Sequence, residues 1–181
     1  MSTLLDVPFV TQLDIGGHVE GNTQAWNDYT GCWYASACMV AYYYEQGPRR
    51  GLPELFVKQN SNPDGKTTVG HWAVPAEWMP TLMDREGLVA VSDHATKKYT
   101  LQEVENLLNT KGPLMFGWAK THNGATYGHM SVVIGTDENG IIFHDPEKAP
   151  NSKMSIDDFD TKRYKYTAYP YYLLYNKKSG G

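Results

Sequence analysis

GCWYASACMVAYYY, residues 31–44, holds no charged side chain, and its mixture of Ala, Met, Cys and Tyr gives a helix that is apolar on every side. Such a helix belongs inside a fold. Glu45 and then Gly47-Pro48 stop it, and Asp28 or Thr30 could cap the other end, which places Cys32 in or beside the first turn. There the unpaired backbone N–H groups and the positive end of the helix dipole favour a thiolate over a thiol. Free cysteines are commonly buried and inert, and that plain packing role suits Cys38, well inside the helix. Cys32 is the candidate nucleophile.

GHMSVVIGTDENGIIFHDP, residues 128–146, supplies a base for it. His129 opens an apolar, β-branched strand, Asp137-Glu138-Asn139-Gly140 reads as a turn, and Ile141-Ile142-Phe143 returns as a strand ending at His144-Asp145-Pro146. Parity decides which side chain lies beside His129. A turn with an odd number of residues, which Gly140 at a bulge position would permit, puts Asp145 on the His129 face as a near-diagonal neighbour. An even turn brings His144 there instead. His144, at the strand end beside Asp145-Pro146, is expected to point away. Asp145 could then accept the imidazole N–H, fix the tautomer and steady the imidazolium that forms when Cys32 loses its proton.

A Cys-Trp at the head of a buried helix, a distant Gly-His opening an apolar strand and an Asp-Pro closing the next strand together resemble the papain-like cysteine peptidases. Within them the chain is similar to the bacterial AvrRpt2-type effector proteases and C39-like peptidases. VPFVTQ at 7–12 resembles the Val-Pro-x-x-x-Gln start of that branch, and TLQEVENLLNTKGPLMFGW at 100–118 resembles its helix, Gly-Pro and apolar strand ahead of the histidine. The resemblance runs in order from Val7 to Pro146. It implies Cys32 as nucleophile, His129 as general base and then acid, Asp145 as orienting group, and Gln12 as side-chain donor to the oxyanion hole beside the backbone N–H of Cys32. One departure stands out. In the family the glutamine lies a few residues before the cysteine, whereas here LDIGGHVEGNTQAWNDYTG, residues 13–31, intervenes as an inserted polar loop. Gln24 and Asn27 therefore compete with Gln12. Trp33, Trp118 and Gly128 are expected along the substrate cleft.

The chain's 181 residues suffice for one well-filled core and are short for two. The expectation is a single domain over 1–181, with a helical lobe to about residue 95, a β lobe over about 96–176 and a frayed tail at 177–181. A hydrophobic content of 41% with 13 tyrosines and 5 tryptophans excludes a disordered chain. A net charge of -4 speaks against a nucleic-acid binder, and the short basic clusters Lys97-Lys98 and Lys162-Arg163-Tyr164-Lys165 read as solvated surface. No apolar stretch approaches the roughly 18 residues that suggest a membrane span, and no signal pattern opens the chain. Two cysteines on one helix support no disulfide framework. The histidines at 18, 71, 94, 122, 129 and 144 lack metal-ligand spacing, so neither metal nor cofactor is expected, and His71-Trp72 reads as ordinary packing.

The predicted elements are helices at 53–60 and 75–86 around a Gly-Pro-Asn-rich connection at 61–66, and a helix at 101–110. The last starts on the capping box Thr100-Leu101-Gln102-Glu103 and stops at Gly112-Pro113. Strands follow at 114–119, 129–135, 141–144 and 168–175. The fold class is α+β, a papain-like two-lobed fold with a buried N-terminal catalytic helix packed on a C-terminal antiparallel sheet or half-barrel. The expected activity is that of a cysteine endopeptidase on a protein substrate. Resemblance to effector proteases implies a soluble, secreted bacterial effector or toxin domain delivered into a target-cell cytoplasm. Cys32 lies too near residue 1 for an inhibitory pro-segment, so restraint is expected from delivery into another cell, a binding partner or excision from a longer polypeptide; the resemblance implies a cognate immunity or inhibitor protein as that partner. Neither nucleic acid nor membrane is an expected partner. Two alternatives stand beside this reading. A peptidoglycan amidase or endopeptidase of the same superfamily would act on purified cell wall, and a non-catalytic papain-like binding module would carry an ordinary Cys32 thiol.

Overall fold

The computed structural model describes residues 2–12, 15–16, 25–26, 32–45, 79–92, 97–165 and 173–180. Helix α1 (Cys32–Tyr42) begins on Cys32 itself. It is surrounded, as its composition demands: Trp33, Ala37, Cys38, Met39 and Val40 form one core with Met115, Met130, Val132, Ile134 and Leu174 of the sheet and with Met79 and Leu82 of α2 (Met79–Glu86). Full burial of a side chain of this size stabilises by about 1.5–3 kcal/mol.

Seven described strands form one antiparallel sheet in the order β4 (Leu88–Ala90), β9 (Leu173–Asn176), β5 (Leu114–His122), β6 (Ala125–Asp137), β7 (Gly140–His144) and β8 (Ser152–Met154), with β1 (Thr3–Leu4) paired to the far end of β6. Short strands β2 (Ile15–Gly16) and β3 (Ala25–Trp26) pair with each other separately. The second face of the large sheet is covered by α3 (Leu101–Lys111) and α4 (Ile156–Lys165), where Val104, Leu108 and Phe159 meet Leu114, Phe116, Trp118, Val133 and Phe143. Covering both faces explains why 114–119 reads as an unbroken apolar run instead of an alternation. The expected α+β architecture, a buried helix packed on an antiparallel sheet, is the one observed.

The β6–β7 register departs from expectation in an instructive way. The turn is even: Asp137 pairs with Gly140, leaving Glu138-Asn139 as the loop. Asp137 Oδ1 accepts from the backbone N–H groups of Asn139 and Gly140, at 2.8 and 3.1 Å, and holds that turn closed. By itself this would carry His144 to the His129 face. The odd residue lies in the strand instead. Pairing passes from Val133–Phe143 to Gly135–Ile142, so Ile134 is a bulge. Beyond it Val132 faces His144, which leaves Asp145 on the His129 phase. The expected pair forms, with the parity shift moved from Gly140 to Ile134.

Thr100 caps α3 as predicted, its Oγ1 accepting from Glu103 N–H at 3.2 Å, and Gly112 ends it at φ 77° with its N–H on Leu108 O. The Glu103 carboxylate does not close a capping box; it pairs with Lys97 at 3.2 Å. Two further sequence readings are corrected. Arg163 is not solvated surface: it is fully buried, its Nη2 donating to Asp160 Oδ1 and Lys97 O, with its guanidinium against the Tyr99 and Phe159 rings. Residues 177–179 are not frayed but form a 3-10 turn capped by Asn176, with Lys178 on Glu45 at 2.8 Å. Strands β1 to β4 and β8 and helix α4 had no counterpart in the sequence reading. The predicted elements at 53–60, 61–66, 75–78 and 168–172, and His71-Trp72, lie outside the described residues.

Candidate active site

Register sets the site. His129 on β6 stands directly opposite Trp118 on β5, and Tyr127 opposite Lys120. His129 is 1% exposed, and its Nε2 lies 2.6 Å from Asp145 Oδ1. The Cys32 side chain also acts on the imidazole. The Trp118 ring meets the imidazole edge-on at 5.6 Å and is fixed by donating its indole N–H to Ser131 Oγ at 3.1 Å. Burial pushes the His129 pKa down, but the negative charge on Cys32 and the hydrogen bonds with Asp145 and Cys32 overcome it and hold the imidazole at about 9.

Asp145 sits in a tight turn just past β7. Its N–H donates to Ala149 O, its carbonyl accepts from Lys148 N–H, and its Oδ1 also accepts from Glu147 N–H at 3.0 Å. Burial would raise its pKa; the hydrogen bonds and charges of His129 and Lys120 bring it down to about 2. Lys120 Nζ lies 2.7 Å from Asp145 Oδ2 and 2.9 Å from Glu147 Oε1, and Tyr127 donates its hydroxyl to Glu147. Sequence reasoning missed Lys120, Tyr127, Ser131 and Glu147. The available signal was the phase of β5, where Lys120 follows the inward-facing Phe116 and Trp118 two residues on.

Gln12 is fully buried and tied down next to the carboxylate: its backbone N–H donates to Pro146 O at 2.9 Å, and Thr11 Oγ1 donates to the same oxygen. Gln24 and Asn27 lie outside the described residues. Of the three expected cleft residues, Trp33 is 1% exposed within the core of α1, Trp118 is buried against His129, and Gly128 is half-buried opposite Ala119. His144, the rival base, turns elsewhere. Its Nε2–H donates to Val7 O and its Nδ1 accepts from Asn151 N–H, and burial holds its pKa below the ordinary value. Cys38 packs in the core. Among the described residues no group of His, Cys, Asp and Glu could hold a metal ion, and no helix is long and apolar enough to cross a membrane.

A cysteine and a carboxylate acting on one buried imidazole make an arrangement that could support acyl transfer. The chain is similar in fold to a solved structure described as a C39-like peptidase from Bacillus anthracis, with a TM-score of 0.57 over 96% of each chain at 15% identity. Its sequence also matches, over residues 13–164, the family described as papain-like cysteine protease AvrRpt2, a span that includes Cys32, His129 and Asp145. The chain thus belongs to the AvrRpt2 family of papain-like cysteine proteases and is a hydrolase of that kind.

Proposed function

We propose that this chain is a cysteine endopeptidase that cuts peptide bonds of a protein target with Cys32, His129 and Asp145. The observation that carries the reading is the imidazole held between the Asp145 carboxylate and the Cys32 side chain in a buried setting. The thiolate attacks the scissile carbonyl, imidazolium protonates the leaving amine, and water activated by the then neutral imidazole releases the thioester. Gln12 and the backbone N–H of Cys32 receive the oxyanion, each such donor typically lowering the barrier by roughly 3 to 4 kcal/mol. Gln12 owes its place to its bond with Pro146. Family membership further supports a bacterial effector or toxin domain, secreted into a target cell and restrained by a cognate immunity or inhibitor protein.

Iodoacetamide alkylation of Cys32, followed against pH in a Cys38→Ser background with and without His129→Ala, tests the pair. The expected rate stays high well below pH 7 and loses that acid limb in the His129→Ala protein. A rate that titrates like a plain thiol near about 8.5 in both would sink the triad. Release of new amino termini from denatured proteins, and none from purified cell wall, is the expected substrate outcome.

A further inference from the structure

The phase of β5 that turns Leu114, Phe116 and Trp118 into the second core also turns Lys120 inward, where it is 6% exposed. An ammonium at that depth requires close partners. It has two: Asp145 Oδ2 at 2.7 Å and Glu147 Oε1 at 2.9 Å. The other Asp145 oxygen is left to His129 Nε2 and Glu147 N–H. Two carboxylates at one site resist ionising together unless a cation lies between them. Glu147 is itself held by the Tyr127 hydroxyl, so the cation bridges two fixed acids.

We infer that Lys120 is a positioning residue for the protease reaction: by bridging Asp145 and Glu147 it orients the Asp145 carboxylate so that Oδ1 meets His129, and it keeps both acids ionised. This rests on the triad proposed above. Cys32 also acts by charge on His129 and Tyr127. Lys120 and Asp145 open together onto a cavity of 320 Å³, across which stand Lys148, Lys153, Asp158 and Lys162. Lys153 is paired with Asp137 and Lys162 with Asp158, at 2.9 and 4.0 Å, which leaves the exposed Lys148 as the control cation.

The test compares pH profiles of kcat/KM and of iodoacetamide inactivation for wild type, Lys120→Met, Lys120→Arg, Lys120→Met with Glu147→Gln, and Lys148→Ala. Met fills the volume of the buried stem. Lys120→Met is expected to lose tenfold or more in kcat with KM within twofold and to move the acid limb upward by about one pH unit as Asp145 and Glu147 come to share a proton. Lys120→Arg is expected to keep the limb, the double variant to bring it partly back, and Lys148→Ala to leave it in place. A folded Lys120→Met with a wild-type limb overturns the inference, whatever its melting temperature. Should Lys120→Met fail to fold, the double variant decides, and wild-type kcat in it overturns the inference. Loss of the His129-dependent acid limb in wild type itself would bring down the triad as well; its presence there, with Lys120→Met unchanged, brings down the Lys120 role alone.

Discussion

At His129, burial and charge pull in opposite directions, and charge wins. Asp145→Asn keeps the shape but removes one of the charges, so the imidazole pKa is expected to fall from about 9 toward 6.5, visible in an NMR titration of the ring carbons. The same groups shape stability. His129, raised on folding, contributes fully below about pH 6.5 and loses that contribution as pH rises through about 9. Asp145, lowered from 3.8 to about 2, contributes fully above 3.8 and loses it as pH falls through about 2. Urea midpoints across pH should therefore slope down on both sides, with the acid slope shallower in Asp145→Asn and the alkaline slope shallower in His129→Ala. Cys32, His129 and Asp145 stand out in the sequence as candidates because a thiol, an imidazole and a carboxylate carry their chemistry on their face, and the structure brings His129 and Asp145 together. Lys120 does not: a strand lysine reads as solvent-facing until the phase of its strand is known, and Glu147 gains meaning only through Lys120.

At the scale of elements, the β6–β7 hairpin reaches the right pair by two shifts, an even turn and a one-residue bulge at Ile134. Deleting Ile134 would run the ladder straight, bring His144 to the His129 face and send Asp145 to the other. The expected result is a loss of kcat/KM on the order of a hundredfold or more with the far-UV circular dichroism of the sheet retained. A deletion protein with near wild-type activity would show that the bulge does not set the pair. Sequence reading counted parity from the turn because turns have marked residues, whereas Ile134 is as strand-prone as the valines before it. Helix α3 was legible to within one residue through Thr100 and Gly112. Helix α4 was hidden because its sequence, IDDFDTKRYK, offers only Ile156 and Phe159 as large aliphatic or phenyl anchors, and its buried Arg163 looks like surface in a linear reading.

At the scale of the molecule, residues 2–12 form a strap across the sheet. β1 pairs with Gly135 and Thr136, Leu5 N–H donates to Ile134 O at 2.8 Å, His144 holds Val7 O at 2.7 Å, and Gln12 reaches Pro146. The strap lies close at Gly135, where an added Cβ would stand 2.5 Å from Thr3 O. Gly135→Ala is expected to lift β1 and unseat Gln12, cutting peptidase activity at least about tenfold while Cys32 alkylation, which needs no oxyanion donor, stays near wild type. Equal loss of both would mean that the substitution disturbs His129 as well. A buried helix on an antiparallel sheet could be read from composition and turns. Strand order could not, since β9 between β4 and β5, and β1 against β6, are set by partners far apart in the chain.

That strap also fixes when activity can appear. Thr3 pairs with Thr136, 133 positions later, and Cys32 waits for a histidine on the same late strand. During synthesis the thiol precedes its proposed base and carboxylate and the anchor for Gln12, which arrive only with residues 129–146. A chain that ends before residue 146 lacks the proposed base, carboxylate and glutamine anchor, and is expected to show no peptidase activity.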